Sequence, residues 1–423
     1  MHLSAKLDIL MSLAADDREG RPGTATAEPP RLRNARTAGA LRPLNLRDVR
    51  VGANGPRAKL LRILMTNACS YNCHYCPMRR DRELPRTLLK PHEMVRIFLE
   101  ALARGWCSGL FITTGIPARP QKVTDDLIQV LELLRLKHRY RGYIHVKLID
   151  GADDAQIARL TLLASRVSFN LETPCGESLE QIAPEKSFAN SLVTLQRAQR
   201  LVVDSQMAER DGKPRDDLRP GGVTGMTTQF VVGATSDSDR AVLGRADALY
   251  RAGGVHHAHF SAFRPIRDTP LEHAPAAPAI REHRLYQADH LVRRYGFGKH
   301  ELVFDGSGNL PLARDPKVSW ALAHPDEFPI DVCRATYSRL VRVPGVGPLA
   351  ARRIVNARRA NAFRGISDLR KLGVLVDRAA GFLAIAGRRT GGVRWVEQLT
   401  LWAPEEDAGA RTGVYEFSPG TFR

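Results

Sequence analysis

Strand-like and helix-like segments alternate along most of this chain, and that alternation constrains its fold more than any other feature. Amphipathic segments of helical period separate short apolar runs that are typical of buried strands. The predicted strands are residues 60–66, 109–114, 143–149, 166–172, 226–233 and 257–263. Successive β/α units predict a parallel sheet with right-handed crossovers. Six units are too few to close an eight-stranded barrel, so we expect an α/β fold with a partial (β/α)6 TIM-like barrel.

The remaining segments differ in composition and periodicity, and they suggest further domains. The first residues form an irregular arm rich in Pro, Gly, Ala and Arg, and a polar insert at 207–222 is expected to be a loop. After the barrel the pattern becomes helical only, which predicts an all-α C-terminal domain. The predicted divisions are an arm at 1–57, the barrel at 58–300, a connection at 301–330, the helical domain at 331–390 and a tail at 391–423.

The chain has 63 basic residues and 45 acidic ones, so its formal net charge is +18. Of the basic residues, 52 are Arg and 11 are Lys, a bias that a GC-rich genome produces without functional demand. The excess alone therefore does not decide whether a polyanion is the partner. No apolar run is long enough to cross a membrane, and Asp8 interrupts the apolar N-terminus, unlike a secretory signal. With six cysteines, too few for a disulfide framework, we expect a cytoplasmic protein.

Three cysteines lie close together directly after the first predicted strand. Cys69, Cys73 and Cys76 have the spacing C-x3-C-x2-C. Three thiolates suit an iron–sulfur cluster, in which a fourth iron would keep an open coordination site. A structural zinc site needs four ligands, and His74 is the candidate for the fourth. The spacing favours the cluster, with zinc as the alternative. The cysteines expected to pack as small apolar side chains are Cys107, Cys175 and Cys333.

The cysteine spacing, with the aromatic Tyr75 before the last cysteine, resembles the radical S-adenosylmethionine (SAM) superfamily. The resemblance implies a [4Fe–4S] cluster held by Cys69, Cys73 and Cys76, with SAM chelating the open iron. Reduction of the cluster would cleave SAM to methionine and a 5′-deoxyadenosyl radical, which abstracts hydrogen from a substrate. The resemblance also implies an electron donor such as a flavodoxin or a ferredoxin.

Residues at the carboxyl ends of the strands are the candidates for holding SAM, because barrel chemistry takes place at that edge. By the resemblance, the cofactor-binding residues are Tyr75, Thr113, Thr114, Gly115, Asn170, Glu172, Gln229 and Gly233. No glutamate follows Gly115, which departs from the Gly-Gly-Glu type of motif in many relatives. Glu172 would be buried in the mouth of the barrel, where Lys147 or Arg264 could pair with it. No catalytic side chain is assigned.

Residues 339–359, RLVRVPGVGPLAARRIVNARR, resemble a helix-hairpin-helix motif. Pro344 would end one helix, and Gly345 and Gly347 allow a tight hairpin with backbone N–H groups at the start of the next helix. Between residues 339 and 371 there are nine basic residues and one acidic residue. Such hairpins bind nucleic-acid phosphates without reading bases. The predicted contacts are Arg342, Gly345, Gly347, Arg352, Arg353, Arg358 and Arg359. The alternative is a hairpin used for packing or protein contacts.

Longer segments resemble one group within the superfamily, the DNA modification/repair radical SAM proteins found beside a uracil-DNA glycosylase-like partner. They include LLRILMTNACSYNCHYC, TQFVVGAT, SAFRPI and LVRVPGVGPLAARRI, and the resemblance covers roughly residues 58–385. Two departures are AADDREGRPG, where the group has an N-terminal cysteine segment, and Cys333, where asparagine is usual. The resemblance implies an enzyme that modifies or repairs a base in duplex DNA. The alternatives are modification of an RNA or tRNA base, and a non-catalytic iron–sulfur protein that binds nucleic acid.

Overall fold

The computed structural model describes residues 3–16, 46–50, 57–211, 225–359, 363–391, 393–396 and 414–417. Much of the predicted arm, of the insert and of the tail lies outside these described residues. The chain divides into two compact units. Unit 1 consists of Met1–Asp237 and Arg245–Ala277, and unit 2 of Ser238–Gly244 and Pro278–Arg423. In the described part of the chain, no helix has the length and apolar character needed to span a membrane.

Unit 1 contains a seven-stranded sheet whose strands follow one another in chain order. The strands are β1 (Leu46–Arg50), β2 (Arg57–Leu64), β3 (Gly109–Thr113), β4 (Tyr143–Lys147), β5 (Arg166–Ser168), β6 (Met226–Val232) and β7 (Val255–Ala262). Strands β2 to β7 are mutually parallel, and β1 pairs antiparallel with β2 at the edge. Six parallel strands with intervening helices confirm the predicted partial (β/α)6 barrel.

Helices connect the strands and cover the apolar face of the sheet. They are α1 (Leu3–Asp16), α2 (Pro91–Ala103), α3 (Pro120–Glu132), α4 (Asp154–Leu163), α5 (Gly176–Ile182), α6 (Phe188–Arg210) and α7 (Asp239–Arg251). A π-helical turn, Leu133–Lys137, continues α3. Ile63, Ile112 and Val146 lie on one face of the sheet and are fully buried, as a helix-covered face requires.

The prediction of an irregular arm at 1–57 is wrong in two places. Residues Leu3–Asp16 form a helix that buries Leu7 and Leu10, and Lys6 forms an ion pair with Glu93 at 3.0 Å. Residues Leu46–Arg50 form β1. The sequence did not indicate β1, because an edge strand of five residues gains its hydrogen bonds from pairing with β2 and not from its own pattern.

The longer segment of unit 2 begins at residue 278, earlier than the predicted barrel boundary at 300, because α8 packs on α9 within this unit. Its helices are α8 (Ala279–His290), α9 (Pro316–Ala323), α10 (Tyr337–Leu340), α11 (Pro348–Ala357), α12 (Ile366–Lys371) and α13 (Val376–Ala379). Its strands are β8 (Ile330–Asp331), β9 (Leu383–Ile385), β10 (Arg388–Arg389), β11 (Val393–Val396) and β12 (Val414–Phe417).

The C-terminal region is therefore mainly helical but not all-α. Strand β9 pairs parallel with β8 and antiparallel with β10, and β11 pairs with β12 in the region predicted as a tail. Strands of two to four residues have no detectable period of their own, so only pairing between distant segments defines them.

Candidate functional site

The three clustered cysteines lie on the loop between β2 and α2, at the carboxyl edge of the sheet. Asn67, which is fully buried, closes the base of this loop. Its side-chain amide donates to the carbonyl oxygen of Pro85 at 2.8 Å, and its side-chain oxygen accepts from the amide of Thr87 at 2.8 Å. Thr66 Oγ1 donates to the carbonyl oxygen of Thr87 at 2.7 Å. The loop is therefore anchored where β2 ends.

The side chain of Arg86 binds the backbone of the same loop. Its guanidinium donates to five carbonyl oxygens between residues 67 and 82, at 2.5–3.3 Å. Burial lowers the pKa of Arg86, and the nearby Cys69 and Cys76 oppose that shift. A positive charge therefore lies beside two of the three thiols. Sequence reasoning missed Arg86, because nothing distinguishes it from other arginines in an Arg-rich chain.

The end of β3 supports the loop from the neighbouring strand. The amide of Gly115 donates to the carbonyl oxygen of Thr66 at 2.7 Å, and the amide of Ser70 donates to that of Ile116 at 2.6 Å. A Cβ atom on Gly115 would lie 2.4 Å from the carbonyl oxygen of Ala68. Glycine is therefore required here because the cysteine loop passes too close for a side chain.

We expect Gly115→Ala to displace the cysteine loop at a cost of about 1–3 kcal/mol, the usual range for overpacking. The measurements are the free energy of unfolding in urea and the iron content after anaerobic reconstitution, both of which should fall. Gly244→Ala, in α7, is the matched control, because a Cβ atom there meets nothing within 4 Å. That change should stabilise the helix by up to about 1 kcal/mol. Equal effects of the two substitutions would contradict the packing argument.

The three thiols form no disulfide; Cys73 is buried, whereas Cys69 and Cys76 are half-buried. Cys73 is buried against Leu179 and Ala183. Burial raises the pKa of Cys73 to about 12 and that of Cys76 to about 11. Buried thiols of this kind become thiolates when a metal replaces their protons.

The donor set fits an iron–sulfur cluster. A cubane takes one thiolate per iron, so three cysteines on one loop supply three of its irons. Among the residues that the structure describes, no three His, Cys, Asp or Glu side chains are arranged as ligands of a single metal ion. His74, the candidate fourth zinc ligand, is half-buried on the same loop, and its amide donates to the carbonyl oxygen of Ile182 at 2.7 Å.

A buried ion pair lies beside the thiols. Lys186 Nζ is 2.9 Å from Glu172 Oε1, and both side chains are largely buried. Asn170 Nδ2 donates to the other carboxylate oxygen at 3.5 Å. Burial disfavours the charged ammonium, yet Glu172 and Cys73 raise the pKa of Lys186 well above its usual range. The pair therefore places a positive and a negative charge next to the cysteine loop.

Lys186 occupies the place for which the sequence suggested Lys147 or Arg264. It belongs to the segment IAPEK, residues 182–186, in the turn between α5 and α6. The sequence did not predict that Lys186 pairs with Glu172. An ion pair between two loop residues has no periodic pattern along the chain.

The backbone at Glu172 is unusual for a residue with a side chain. Its φ is 67°, in the left-handed region, which costs of order 1–3 kcal/mol for a non-glycine residue. The Glu172 amide donates to the carbonyl oxygen of Gln229 at 2.9 Å, and its carbonyl oxygen accepts from Val231 at 2.7 Å. These two bonds to β6 hold the conformation. β5 ends at Ser168, earlier than predicted, although the following residues stay beside β6, where Glu172 bridges to Phe230.

The other predicted cofactor residues lie around Glu172, beside the base of the cysteine loop, or in the turn after β6. Tyr75 packs on Val231 and Phe263, and its hydroxyl interacts with Glu172. Burial raises the pKa of Tyr75 well above the usual value, and the Glu172 carboxylate raises it further. Tyr75 and Asn170 thus meet at the Glu172 side chain, and Gln229 accepts from the Glu172 amide through its backbone carbonyl oxygen. The residues beside the base of the cysteine loop are Thr113, Thr114 and Gly115. Gly233, with φ of 88°, lies in the turn after β6.

The remaining cysteines are separate from the loop. Cys107 is buried. Cys175 follows Glu172, and its Sγ lies 3.3 Å from Ser178 Oγ and 4.0 Å from Asp237 Oδ1. The amide of Cys333 donates to Asp331 Oδ1 at 2.9 Å.

In unit 2, residues 341–347 connect α10 to α11 as a tight hairpin. Gly345 has φ of 83°, and a Cβ atom there would lie 2.5 Å from the carbonyl oxygen of Leu375. The Gly345 carbonyl oxygen in turn accepts from the Leu375 amide at 2.9 Å. Leu375 lies on the turn between α12 and α13, so the two helix-connecting turns lie back to back. Gly347 precedes Pro348, the first residue of α11.

The arginines around this hairpin have two different environments. Arg342 is bound to Glu301 at 2.7 Å and lies over the rings of Phe297 and Trp320. Arg358 donates to the backbone carbonyl oxygens of Val332 and Ala335. Both guanidinium groups therefore hold unit 2 together. The exposed arginines of the predicted set are Arg352, Arg353 and Arg359.

The family profile of the radical SAM superfamily matches residues 63–207. The matched segment begins in β2, includes Cys69, Cys73 and Cys76, and ends in α6. Residues 63–207 are a radical SAM domain. The superfamily is a class of enzymes that use a [4Fe–4S] cluster and SAM. The three free thiols on the loop after the first parallel strand agree with this match. A search of curated proteins finds no match.

Solved structures resembling the chain include the [FeFe]-hydrogenase maturase HydG from Carboxydothermus hydrogenoformans, at 17% identity and a TM-score of 0.44, over 55% of this chain and 51% of that chain. Methylornithine synthase (PylB) matches at 13% identity and a TM-score of 0.42, over 56% and 63%. A radical SAM methyltransferase from Sphaerobacter thermophilus matches at 15% identity and a TM-score of 0.38, over 56% and 67%. This chain thus spans about half the length of HydG, and similarities this distant do not bear on its substrate.

Proposed function

We propose that the chain is a radical SAM enzyme that modifies or repairs a base in DNA. Cys69, Cys73 and Cys76 would hold the cluster. When bound and reduced, the cluster and SAM supply a 5′-deoxyadenosyl radical that abstracts hydrogen. Around it, the chain's own residues would bind and orient SAM: Tyr75 lies on the cysteine loop, and Glu172 contacts the Tyr75 hydroxyl. Glu172 is 4% exposed, and burial of this kind excludes water from a site.

The observation that favours DNA is the hairpin of unit 2 with its exposed arginines. The hairpin packs closely on the neighbouring turn, because a Cβ atom at Gly345 would lie 2.5 Å from the carbonyl oxygen of Leu375. The helix that follows it, α11, begins at Pro348 after the cap residue Gly347, and the start of a helix favours an anion. Arg352 and Arg353 are exposed on the same helix, where Arg352 lies over the Tyr337 ring and Arg353 makes a long contact of 3.5 Å with the carbonyl oxygen of Leu372. Backbone and arginine contacts of this kind bind phosphates of any sequence, as a DNA-docking module requires.

The enzyme part of the proposal is tested by anaerobic reconstitution with iron and sulfide, followed by reduction in the presence of SAM. The expected result is 5′-deoxyadenosine as a product, with a flavodoxin or a ferredoxin as reductant. Damaged and undamaged duplex DNA are then offered, alone and with a uracil-DNA glycosylase-like protein, and the nucleosides are analysed by mass spectrometry. A protein that takes up a full cluster but forms no 5′-deoxyadenosine would refute the enzyme claim.

The DNA part is tested with Arg352→Glu/Arg353→Glu. We expect duplex affinity to fall by about tenfold or more near physiological salt, and the salt dependence to become weaker by about one unit per lost phosphate contact. Arg388→Glu/Arg389→Glu is the matched control, because both side chains are exposed on β10 in the same unit and the charge change is equal. Equal losses in the two double variants, or binding of tRNA without binding of duplex DNA, would contradict the proposal.

A further inference from the structure

An open groove lies on the surface of unit 2 between α10 and α11. Its volume is about 440 Å³, which is within the range of ligand sites in proteins. The residues that line it are Tyr337, Arg352, Val355 and Asn356. Tyr337 is the first residue of α10, and the other three lie on α11. The groove is therefore part of the basic hairpin segment but lies outside the turn at residues 341–347.

The spacing along α11 places its three lining residues on one face of the helix. Val355 and Asn356 follow Arg352 by three and four positions, so the three side chains are neighbours on the helix surface. The opposite face of α11 is buried through Ala351 and Ile354. Packing of that apolar face therefore fixes the helix in the orientation that leaves the groove accessible.

The groove combines an aromatic ring, a guanidinium group and a carboxamide. The guanidinium carbon of Arg352 lies 5.9 Å from the centroid of the Tyr337 ring. Both the ring and the planar guanidinium stack on flat aromatic groups. The side-chain amide of Asn356 has two donor hydrogens and an acceptor oxygen, which suit the polar edge of such a group. The three side chains therefore suit a flat ring with hydrogen-bonding atoms along its edge.

These side chains are accessible to a ligand. Arg352 and Asn356 are exposed, and Tyr337 is half-buried. Within the described part of the chain, Arg352 forms no ion pair and the Asn356 side chain forms no hydrogen bond. Arg352 differs in this from Arg342 and Arg358, whose guanidinium groups bind acceptors within unit 2. A ligand in the groove therefore gains contacts that no internal group uses.

One unpaired base fits between Tyr337 and Arg352 after a small movement of the arginine. A ring that stacks between two flat groups needs about 7 Å, twice the stacking distance of roughly 3.4 Å in nucleic acids. The separation of 5.9 Å is slightly smaller, and an exposed side chain changes rotamer readily. A base inside a duplex does not fit, because its neighbours already cover both of its faces.

We propose that this groove, which we call the base groove, binds one unpaired base of a DNA strand. The base stacks on Tyr337, Arg352 covers its other face, and Asn356 binds its edge. A strand suits the groove better than a free planar molecule does, because the exposed Arg353 and Arg359 can bind the phosphates on either side of the base. The inference rests on the proposed function for the choice of DNA, and it adds recognition of an interruption in base pairing.

The test is fluorescence anisotropy of labelled duplexes of equal length with the full chain. The first duplex is fully paired, the second has one unpaired adenine, and the third has an abasic residue in place of that adenine. The fourth is an RNA duplex with the same unpaired adenine. Thermal unfolding of each protein variant verifies that it is folded.

The variants separate the ring from its bulk and the amide from its position. Tyr337→Leu keeps an apolar side chain but removes the ring, and Tyr337→Phe, which keeps the ring, is its matched control. Asn356→Ala removes the amide. Its matched control is Asn190→Ala, at an exposed position in α6 of unit 1.

We expect the unpaired adenine to increase the affinity for duplex DNA by about tenfold, and Tyr337→Leu to remove that increase. Asn356→Ala should weaken binding of the same duplex by about threefold. Tyr337→Phe and Asn190→Ala should bind it like the unmodified chain. With 2-aminopurine as the unpaired base, its fluorescence should be quenched on binding, and less so in Tyr337→Leu, because stacking on the ring causes the quenching.

The base groove is refuted if the unpaired adenine brings no increase in affinity, if the abasic duplex binds as tightly, or if folded Tyr337→Leu keeps the increase. Should Tyr337→Leu fail to fold, unchanged binding by Asn356→Ala refutes the site. Preference for the RNA duplex overturns the choice of DNA. Tyr337→Leu should leave binding of the fully paired duplex unchanged. Failure of the hairpin to bind paired DNA and failure of the base groove are therefore separate results.

Discussion

Replacing any one of Cys69, Cys73 and Cys76 with Ser is expected to abolish a stable [4Fe–4S] cluster and, with it, all SAM cleavage. In such a cluster each thiolate would bind a different iron, so the other two could not substitute for a missing one. The burial of Cys73 increases the effect there, since an alcohol in the same position is far harder to deprotonate than a thiol. The measurements are iron and sulfide per chain, the visible absorbance of the reconstituted protein, and 5′-deoxyadenosine after reduction.

Cys333→Ser is the matched control, because Cys333 is a half-buried free thiol outside the radical SAM domain. It should keep the full complement of iron. The same experiment tests the zinc alternative, in which one zinc per chain would bind and His74→Ala would remove it. Full iron content in all three loop variants would contradict the assignment of the site.

Lys186→Met is expected to destabilise the radical SAM domain by about 3–5 kcal/mol, the range for breaking a buried ion pair. The substitution leaves the Glu172 carboxylate, which is 4% exposed, without its counter-charge. The measurement is hydrogen exchange of the β5 and β6 amides as a function of urea. Both strands belong to unit 1, so the exchange rates report the stability of that unit separately from unit 2. The double variant Lys186→Met/Glu172→Gln should recover most of the loss, because neither charge then remains buried.

The matched control breaks an exposed pair in the same domain. Arg197 and Asp154 form an ion pair with side chains that are 44% and 68% exposed. Arg197→Met should therefore cost less than about 1 kcal/mol. If Arg197→Met and Lys186→Met have equal effects, burial of the Lys186–Glu172 pair has no energetic consequence.

The same pair offers a readout that a purely structural role would not change. In a reconstituted protein, Lys186→Met removes a positive charge beside the thiols and should lower the reduction potential of the cluster. Glu172→Gln removes a negative charge and should raise it. Shifts of the same sign in both variants would show that the substitutions act through loop packing and not through charge.

The parallel sheet, the position of the cysteines and the hairpin glycines could be predicted because each has a local pattern. Buried strands are short apolar runs, the three cysteines follow one of them at a fixed spacing, and Gly345 marks a turn of left-handed backbone. Arg86 and Lys186 could not be predicted. Their roles depend on carbonyl groups, thiols and a carboxylate that folding brings together, and no spacing in the chain encodes those contacts.

The arginines of the predicted hairpin also show what a sequence can predict and what it cannot. Composition identified the basic segment, but it could not separate Arg342 and Arg358, which bind partners within unit 2, from the exposed Arg352, Arg353 and Arg359. The structure separates them because a guanidinium can bind an internal carboxylate or carbonyl only where packing positions one within reach.

By itself the sequence determined the order of strands and helices, the three thiols that suit a cluster, and the basic hairpin, because these follow from residue type and spacing along the chain. Only the tertiary structure decided which charge pairs with Glu172 and why no side chain is accommodated at Gly115. Those properties depend on distances across the sheet between residues far apart in sequence, and a pattern along the chain contains no such distances.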